Sequence, residues 1–352
     1  MPTPIDIHEF IKLSGIHPVI DVRTPAEFNQ GHICDALNLP IFTNEERVVI
    51  GTLYKKEGKQ PAVLKGLEIV GPKLHEFVKE AIKINKTGIF LVHCWRGGMR
   101  SSSMAWFLET YGFKCYTLKG GYKSYRKLVL ESFNNKKNIL VLGGKTGTGK
   151  TIILQELKKQ NEQIIDLEQL AHHKGSSFGA LGEKDQPTQE QFENNLSFEL
   201  AKVNEEKPCW IENESRRIGI NIIPLGLWEQ MKNAAVVNIE LPLQVRLDYL
   251  VKEYGVFSNE ELMSAIQRIG KRLGGQHVKR AIGAIEDGDF KTAFEICLVY
   301  YDKTYNFGEE QHEKEKIIHC EFDSMDVKEI TKSIKEEAIK LTSSKEEKDG
   351  RN

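Results

Sequence analysis

The residues best suited to chemistry fall in two short stretches. The first is HCWRGGMRSSS, residues 93–103, where Cys94 ends an apolar run and is followed by Gly97, Gly98 and two arginines. A thiolate is the reactive form of cysteine. Backbone N–H groups in a glycine turn, a helix N-terminus and nearby arginines all favour it. Cys94 is therefore the candidate catalytic residue, a small buried hydrophobe at a strand end being its plainer reading. Trp95, Arg96, Gly97, Gly98 and Arg100 form a candidate oxyanion loop around it, and Ser101 or Ser102 is placed to cap the next helix. His93 reads either as a strand residue or as a participant. Cys34, Cys115, Cys209 and Cys297 lack such surroundings and read as small core residues. The second stretch, GKTGTGKT, matches G-x-x-x-x-G-K-[ST] in full. Gly144, Gly147, Thr148, Gly149, Lys150 and Thr151 would cradle a phosphate chain at a helix N-terminus. Lys150 would reach the outer phosphates, and Thr151 is the ligand for Mg²⁺ if that ion takes part.

Supporting groups lie near these two. An acidic residue at the end of a later strand would help hold Mg²⁺ or its water. Asp166 and Glu212 are the candidates, with helix capping or pairing to Arg216 as their alternative roles. The polar segment DLEQLAHHKGSSFG, from Asp166 to Gly179, offers His172, His173, Ser176 and Ser177. It reads as a loop facing substrate rather than as a metal site, because adjacent histidines seldom share one ion. Arg216 and Arg217 could clamp a diphosphate or an RNA backbone. The densest basic region, around Gly274-Gly275, supplies Arg268, Lys271, Arg272, Lys279 and Arg280 as candidates for contact with a nucleic-acid phosphate backbone. A solvated helix face is the plainer reading of the same residues.

The elements that position these groups follow from the pattern of apolar residues. HPVIDVR, TGIFLVHC and KCYTLKGG read as strands, and SSSMAWFLETYG as a helix closed by Gly112. TPAEFNQGHICDALNLP reads as loop and turn, and residues 45–82 as mostly helical, broken at Gly58-Pro61 and Gly71-Pro72. NILVLGG, EQIID, KPCWIENES and VVNIELP read as four further strands alternating with helices. Both halves thus predict α/β folds with mostly parallel sheets. The expected organisation is a domain over 1–132, a P-loop domain over 133–242, and a mainly helical region over 243–352 with a charged, fraying tail. The 352 residues are 40% hydrophobic with net charge −1, so no global basic field advertises nucleic acid. Six cysteines without a CxxC pair fit neither a disulfide scaffold nor a zinc ribbon. Neither a signal peptide nor a membrane-spanning run is evident, so the expectation is a cytoplasmic protein with no membrane partner.

Residues 5–130 resemble the rhodanese family. The resemblance rests on DVRTPAEFNQGHICDALNLP, with Asp21, Arg23, Glu27, Gly31 and His32, on the Cys94–Arg100 loop, and on LKGGYKSY. It implies that Asp21 and Arg23 are structural. Arg100 stands six positions after Cys94, a loop length similar to cysteine-dependent phosphatases, so the loop by itself leaves chalcogen transfer and phosphate-ester hydrolysis open. Over nearly the whole chain, HCWRGG, LKGGYKSYR, LGGKTGTGKT, DLEQLAHHKGSSFG and WIENESRRIG resemble the tRNA 2-selenouridine synthase family. That resemblance implies a transferase that replaces the sulfur of wobble 2-thiouridine in the tRNA anticodon loop with selenium. Selenophosphate is the donor, and S-geranyl-2-thiouridine, made with geranyl diphosphate, is the intermediate. It implies no tightly bound cofactor, allows Mg²⁺, admits a selenophosphate-supplying enzyme as partner, and excludes DNA. Whether Cys94 carries a perselenide or only assists substitution, and whether the two sites share a cleft, stays open. Two other classes compete: a phosphatase-like domain governed by an ATPase, and a nucleotide-switched scaffold with an inert cysteine loop.

Overall fold

The chain forms two separate parallel sheets, each built from short apolar strands whose connections are helical. The computed structural model describes residues 2–85, 88–309 and 316–349, with side chains at all of these except 304, 306–309 and 341–349. Two compact units result, one within Met1–Ser132 together with Glu193–Phe198, the other within Phe133–Phe192 and Glu199–Asn352.

The first unit holds β1 (Thr3–Ile5), β2 (Val19–Asp21), β3 (Leu37–Asn38), β4 (Ile89–His93) and β5 (Lys114–Leu118). They pair in parallel in the order β1-β5-β4-β2-β3. Phe90 and Val92 of β4 pack with Ile20, Met104 and Leu108 in one buried cluster, as a strand covered on both faces requires. Part of TPAEFNQGHICDALNLP departs from the loop expected there. Pro25–Gln30 is a helix, because Thr24 and Glu27 form a reciprocal capping box and Pro25 opens the first turn. Residues 45–82 are helical as expected, in three helices, Asn44–Glu57, Lys59–Val70 and Leu74–Ile84.

The second unit contains β6 (Ile139–Gly144), β7 (Gln163–Ile165), β8 (Cys209–Glu212), a small antiparallel pair of β9 (Arg217–Ile218) and β10 (Asn221–Ile222), β11 (Ala235–Glu240) and β12 (Ile317–Glu321). Its main sheet is parallel, in the order β12-β11-β6-β8-β7. β12 lies in the region expected to be mainly helical. Its run IIHCE pairs with β11 from Val236↔Ile317 to Glu240↔Glu321. Five residues among long helices carry too little periodicity to declare a strand. The rest of the region is helical. Leu247, Leu250, Leu262, Ile266, Ile285 and Phe294 share a core separate from that of the sheet. Of the tail expected to fray, residues 343–349 continue the helix Val327–Asp349, and 350–352 lie outside the described residues.

Candidate active sites

In the first unit β4 delivers Cys94 to the N-terminus of the helix Met99–Tyr111. The Gly98 N–H donates to Cys94 Sγ at 3.3 Å, and Ser101 Oγ lies 3.2 Å from the same sulfur. Ser101 and Ser102 do not cap the helix. Gly98 is the N-cap, and both hydroxyls donate back to its carbonyl from inside the first turn, at 3.1 and 3.3 Å. Ser101 thereby becomes a neighbour of the sulfur, a role its place after Arg100 did not signal.

The expected arginine cradle is only partly assembled. Arg96 is exposed. Arg100 is held by Glu27, with Nη1–Oε2 and Nη2–Oε1 distances of 2.7 and 3.3 Å. Burial would raise the Glu27 carboxyl, but Arg100's hydrogen bond and charge override it and hold that group below the usual range. Trp95 lies beside Tyr122, ring centroids 5.7 Å apart. The loop is tied from behind by LKGGYKSY: the Tyr122 and Lys123 N–H groups donate to the Cys94 and Trp95 carbonyls at 2.8 and 3.0 Å. Gly97 and Gly121 allow this approach. Both have positive φ, and a Cβ on Gly121 would stand 2.3 Å from the Gly97 nitrogen and 2.4 Å from the Cys94 carbonyl oxygen.

Asp21 and Arg23 form a fully buried ion pair, with Arg23 Nη2 2.6 Å from both Asp21 Oδ2 and the Gly31 carbonyl. The guanidinium lies 3.7 Å from the Tyr122 ring centroid. His93 is fully buried 3.6 Å from Asp21, and burial lowers its basicity. All three residues brace the strand end, and none is exposed to a substrate.

In the second unit, β6 runs through the glycine loop into the helix Lys150–Lys159. Lys150 Nζ donates to the Gly144 carbonyl at 3.0 Å and stands 3.9 Å from Glu214. Thr151 Oγ1 donates to Glu168 at 2.8 Å. The carboxylate that meets Thr151 is thus Glu168, and neither expected acid does so. Asp166 caps the helix Leu167–Ala171 and binds Gln155. Glu212, at the end of β8, accepts the Glu168 N–H at 2.8 Å and leaves its other oxygen unpaired. Burial, then the neighbouring Glu214 charge, raises Glu168 to about 8. Burial also pushes Glu212 and Glu214 up, Lys150 opposing it at Glu214.

The loop opens on a cavity of about 1120 Å³. Gly147, Thr148, Gly149, Lys150 and Thr151 line it, as do Ser176, Arg216, Arg217, Arg268 and Arg272. Ser177 is bonded to the Tyr301 hydroxyl instead. Lys271, Lys279 and Arg280 are exposed residues that do not line the cavity. His172 closes a helix in left-handed conformation and binds the Asp185 carbonyl, and among the described residues no group of His, Cys and acidic side chains is arranged to hold a metal. An aromatic wall completes the cavity, made by Trp228, Tyr249, Tyr254, Tyr300, Tyr301 and Tyr305; the sequence offered the last three as base-stacking groups or, more simply, core, and gave no signal for the other three. The tyrosines at 300, 301 and 305 share the helix Phe290–Glu309, and Tyr305 accepts the Gly144 N–H at 2.7 Å while donating to Asn238. Arg246, paired with Asp302, also supports the loop by donating to the Thr146 carbonyl.

Fold and sites together define a class: a rhodanese-type cysteine-loop domain joined in one chain to a P-loop α/β domain. Family models agree with both halves, a rhodanese-like domain over residues 4–128 and a tRNA 2-selenouridine synthase AAA domain over 137–338. The chain belongs to the tRNA 2-selenouridine synthase family, and so to a family of transferases. It is 34% identical to the tRNA 2-selenouridine synthase of Shewanella woodyi, covering 90% of this chain and 94% of that one. It is 38% identical to that of Proteus mirabilis, over 69% and 67% of the two chains. The Nitrosomonas europaea protein is 34% identical over 82% of this chain and 88% of its own. Among the described residues no helix is long and apolar enough to cross a membrane.

Proposed function

We propose that this chain exchanges the sulfur of wobble 2-thiouridine in tRNA for selenium in two steps at two sites. At the P-loop the base sulfur attacks the allylic carbon of geranyl diphosphate. The S–C bond forms as the C–O bond breaks, its electron pair leaves on diphosphate, and the N3 proton of the base departs. Lys150 and the backbone N–H groups of the glycine loop stabilise the charge that grows on the leaving group. At the Cys94 loop selenophosphate is bound by Arg96, the Gly98 amide and, once released by Glu27, Arg100. Its selenium replaces the geranyl thiolate at C2, and water takes the phosphoryl group as phosphate.

The observation that carries this reading is the composition of the cavity: a phosphate cradle at one end and an aromatic wall beside it, within one unit. A nucleotide hydrolase has no use for so much aromatic surface around the outer phosphates. A prenyl diphosphate has both chemistries in one molecule. Thr151 and Glu168 present the hard oxygen donors that suit Mg²⁺. When bound, that ion would neutralise diphosphate charge. Arg216, Arg217, Arg268 and Arg272 supply cations for the anticodon phosphates, and an enzyme that makes selenophosphate is the natural supplying partner.

The test is nucleoside analysis of thiolated tRNA after incubation with geranyl diphosphate, then selenophosphate. Cys94→Ala should keep S-geranyl-2-thiouridine and lose 2-selenouridine. Lys150→Ala should lose the geranylated nucleoside first, with affinity for diphosphate down roughly 10–100-fold, the worth of one charge-assisted contact. Equal loss of both products in folded Cys94→Ala would refute the division of labour.

A further inference from the structure

The hairpin of β9 and β10 stands at the edge of the large cavity. Arg216, Arg217 and Gly219 are among the cavity walls, and so are Trp228 and Lys232 of the helix Leu225–Asn233 that follows. Ile218 pairs with Asn221 and both are buried, whereas Arg217 pairs with Ile222 and both are exposed. One pair therefore faces the core and the other faces solvent. The two-residue turn between them is Gly219-Ile220. Gly219 takes the first position at φ +59°, as a type II′ turn requires. Ile220, at the tip, is 60% exposed.

The tip is braced from behind. Gln186 accepts the Ile220 N–H at 3.0 Å and donates to the Ile218 and Ala171 carbonyls at 3.1 and 3.0 Å. A Cβ on Gly219 would stand 2.0 Å from Gln186 Oε1, so the clamp admits only glycine there. Gln189 accepts the Ile222 N–H at 2.7 Å and donates to the Ile222 carbonyl at 2.8 Å. Arg217 Nε donates to the Gly219 carbonyl at 3.0 Å, which sets a cation beside the tip. A stiff β-branched side chain is thus held out in water on a fixed backbone. A lone exposed apolar residue is ordinary surface. Here Ile222 and Leu225, also exposed, stand with Ile220 beside cavity walls that carry arginines and tyrosines.

An apolar tip with a cation next to it matches a single-stranded nucleic acid, in which flat bases alternate with phosphates. A base stacked on its neighbour has to leave the stack before an enclosed site can act on it. Apolar side chains driven between bases are one way to unstack them. We infer that Ile220 is such a wedge. It enters the anticodon between the wobble base and the next base, covers the face that the wobble base gives up, and frees that base to enter the cavity. Arg217 pairs with the adjoining phosphate. That the freed base enters this cavity rests on the prenyl-transfer reading given above.

The experiment uses the full chain and a thiolated tRNA that carries 2-aminopurine as the base after the wobble position, a probe that brightens when its neighbour unstacks. Saturating wild-type protein should brighten it several-fold. Ile220→Leu, which keeps an apolar wedge, should match wild type. Ile220→Ala and Ile220→Asp should lose most of the rise at saturation while affinity for inorganic diphosphate, the sign of an intact P-loop, holds. The rate of S-geranylation at saturating tRNA should fall about tenfold in Ile220→Ala, the scale of one lost stacking contact. A rise in Ile220→Ala equal to that of wild type, or no rise in wild type, would overturn the inference. A rise that wild type shows and Ile220→Ala loses, in a protein that forms no S-geranyl-2-thiouridine, would instead remove the prenyl-transfer reading and leave the wedge in place.

Discussion

At the scale of single residues, the cysteine loop depends on one replaceable hydroxyl. Cys94 Sγ has the Gly98 N–H at 3.3 Å and Ser101 Oγ at 3.2 Å, and only the second can be removed by substitution. The same hydroxyl also reaches the Gly98 carbonyl. A hydrogen bond to an ionised sulfur is worth about 1.5 kcal/mol or more. Cys94 is itself buried, 3% exposed, so the test is catalytic. Ser101→Ala should lower the rate of 2-selenouridine formation about tenfold while formation of S-geranyl-2-thiouridine holds, read by nucleoside analysis. An unchanged rate would mean the hydroxyl serves only the carbonyl. Beside the P-loop, Glu168 poses the opposite problem. Burial raises it to about 8, so the folded protein keeps a proton that the unfolded chain loses near pH 4.5. Its contribution to stability is complete below that pH and is lost as pH rises toward 8. Glu168→Gln cannot ionise. Its urea midpoint should fall less than that of wild type between pH 5 and pH 8, with the variant the more stable at the upper end. Parallel curves would place the proton elsewhere, in Glu212 or Glu214.

At the scale of elements, the loop is as much the work of LKGGYKSY as of HCWRGGMR. The helix Gly121–Ser132 begins where its first N–H groups meet the Cys94 and Trp95 carbonyls. Gly121 sits at φ +59°, with backbone atoms where a Cβ would go. Gly121→Ala should cost about 3 kcal/mol from strain and displacement together, seen as a lowered urea midpoint. Loss of selenation should accompany it even where the protein remains folded. A neutral result would mean the loop can retreat. This pairing also marks how far sequence carried. The glycine loop, its strand and its helix were legible because GKTGTGKT fixes backbone and charge within eight consecutive residues. LKGGYKSY was visible as a motif, but its reason lay in a contact between segments some 25 positions apart, which no local pattern encodes. Glu168 was hidden by Asp166 two residues earlier, the acid nearest the strand end. The tyrosines at 300, 301 and 305 could be read as base-stacking groups but more simply as helix core, and their place on the cavity wall is what the sequence could not supply.

At the scale of the whole molecule, a net charge of −1 means that tRNA gains nothing from the overall field. Binding has to come from local groups, and the structure separates two kinds. Arg268 and Arg272 line the cavity and are already engaged by the Ser177 carbonyl and the Tyr300 hydroxyl. Lys279 and Arg280 are exposed on the helix Gly275–Glu286 and lie outside the cavity walls. The first pair can act on the nucleotide being modified, whereas the second suits phosphates further along the RNA. Their signatures differ. Each phosphate contact contributes about 0.7 to 0.9 to the slope of log affinity against log salt. The double variant Lys279→Ala/Arg280→Ala should flatten that slope by about 1.4 to 1.8 and weaken tRNA binding at low salt. The rate of geranylation at saturating tRNA should hold, because neither residue touches the cavity. Arg272→Ala should flatten the slope by about 0.7 to 0.9, one phosphate contact, and unlike the double variant should also lower the saturated rate. If the double variant binds tRNA with wild-type affinity at every salt concentration, this helix face is merely solvated and the RNA is held by the cavity arginines.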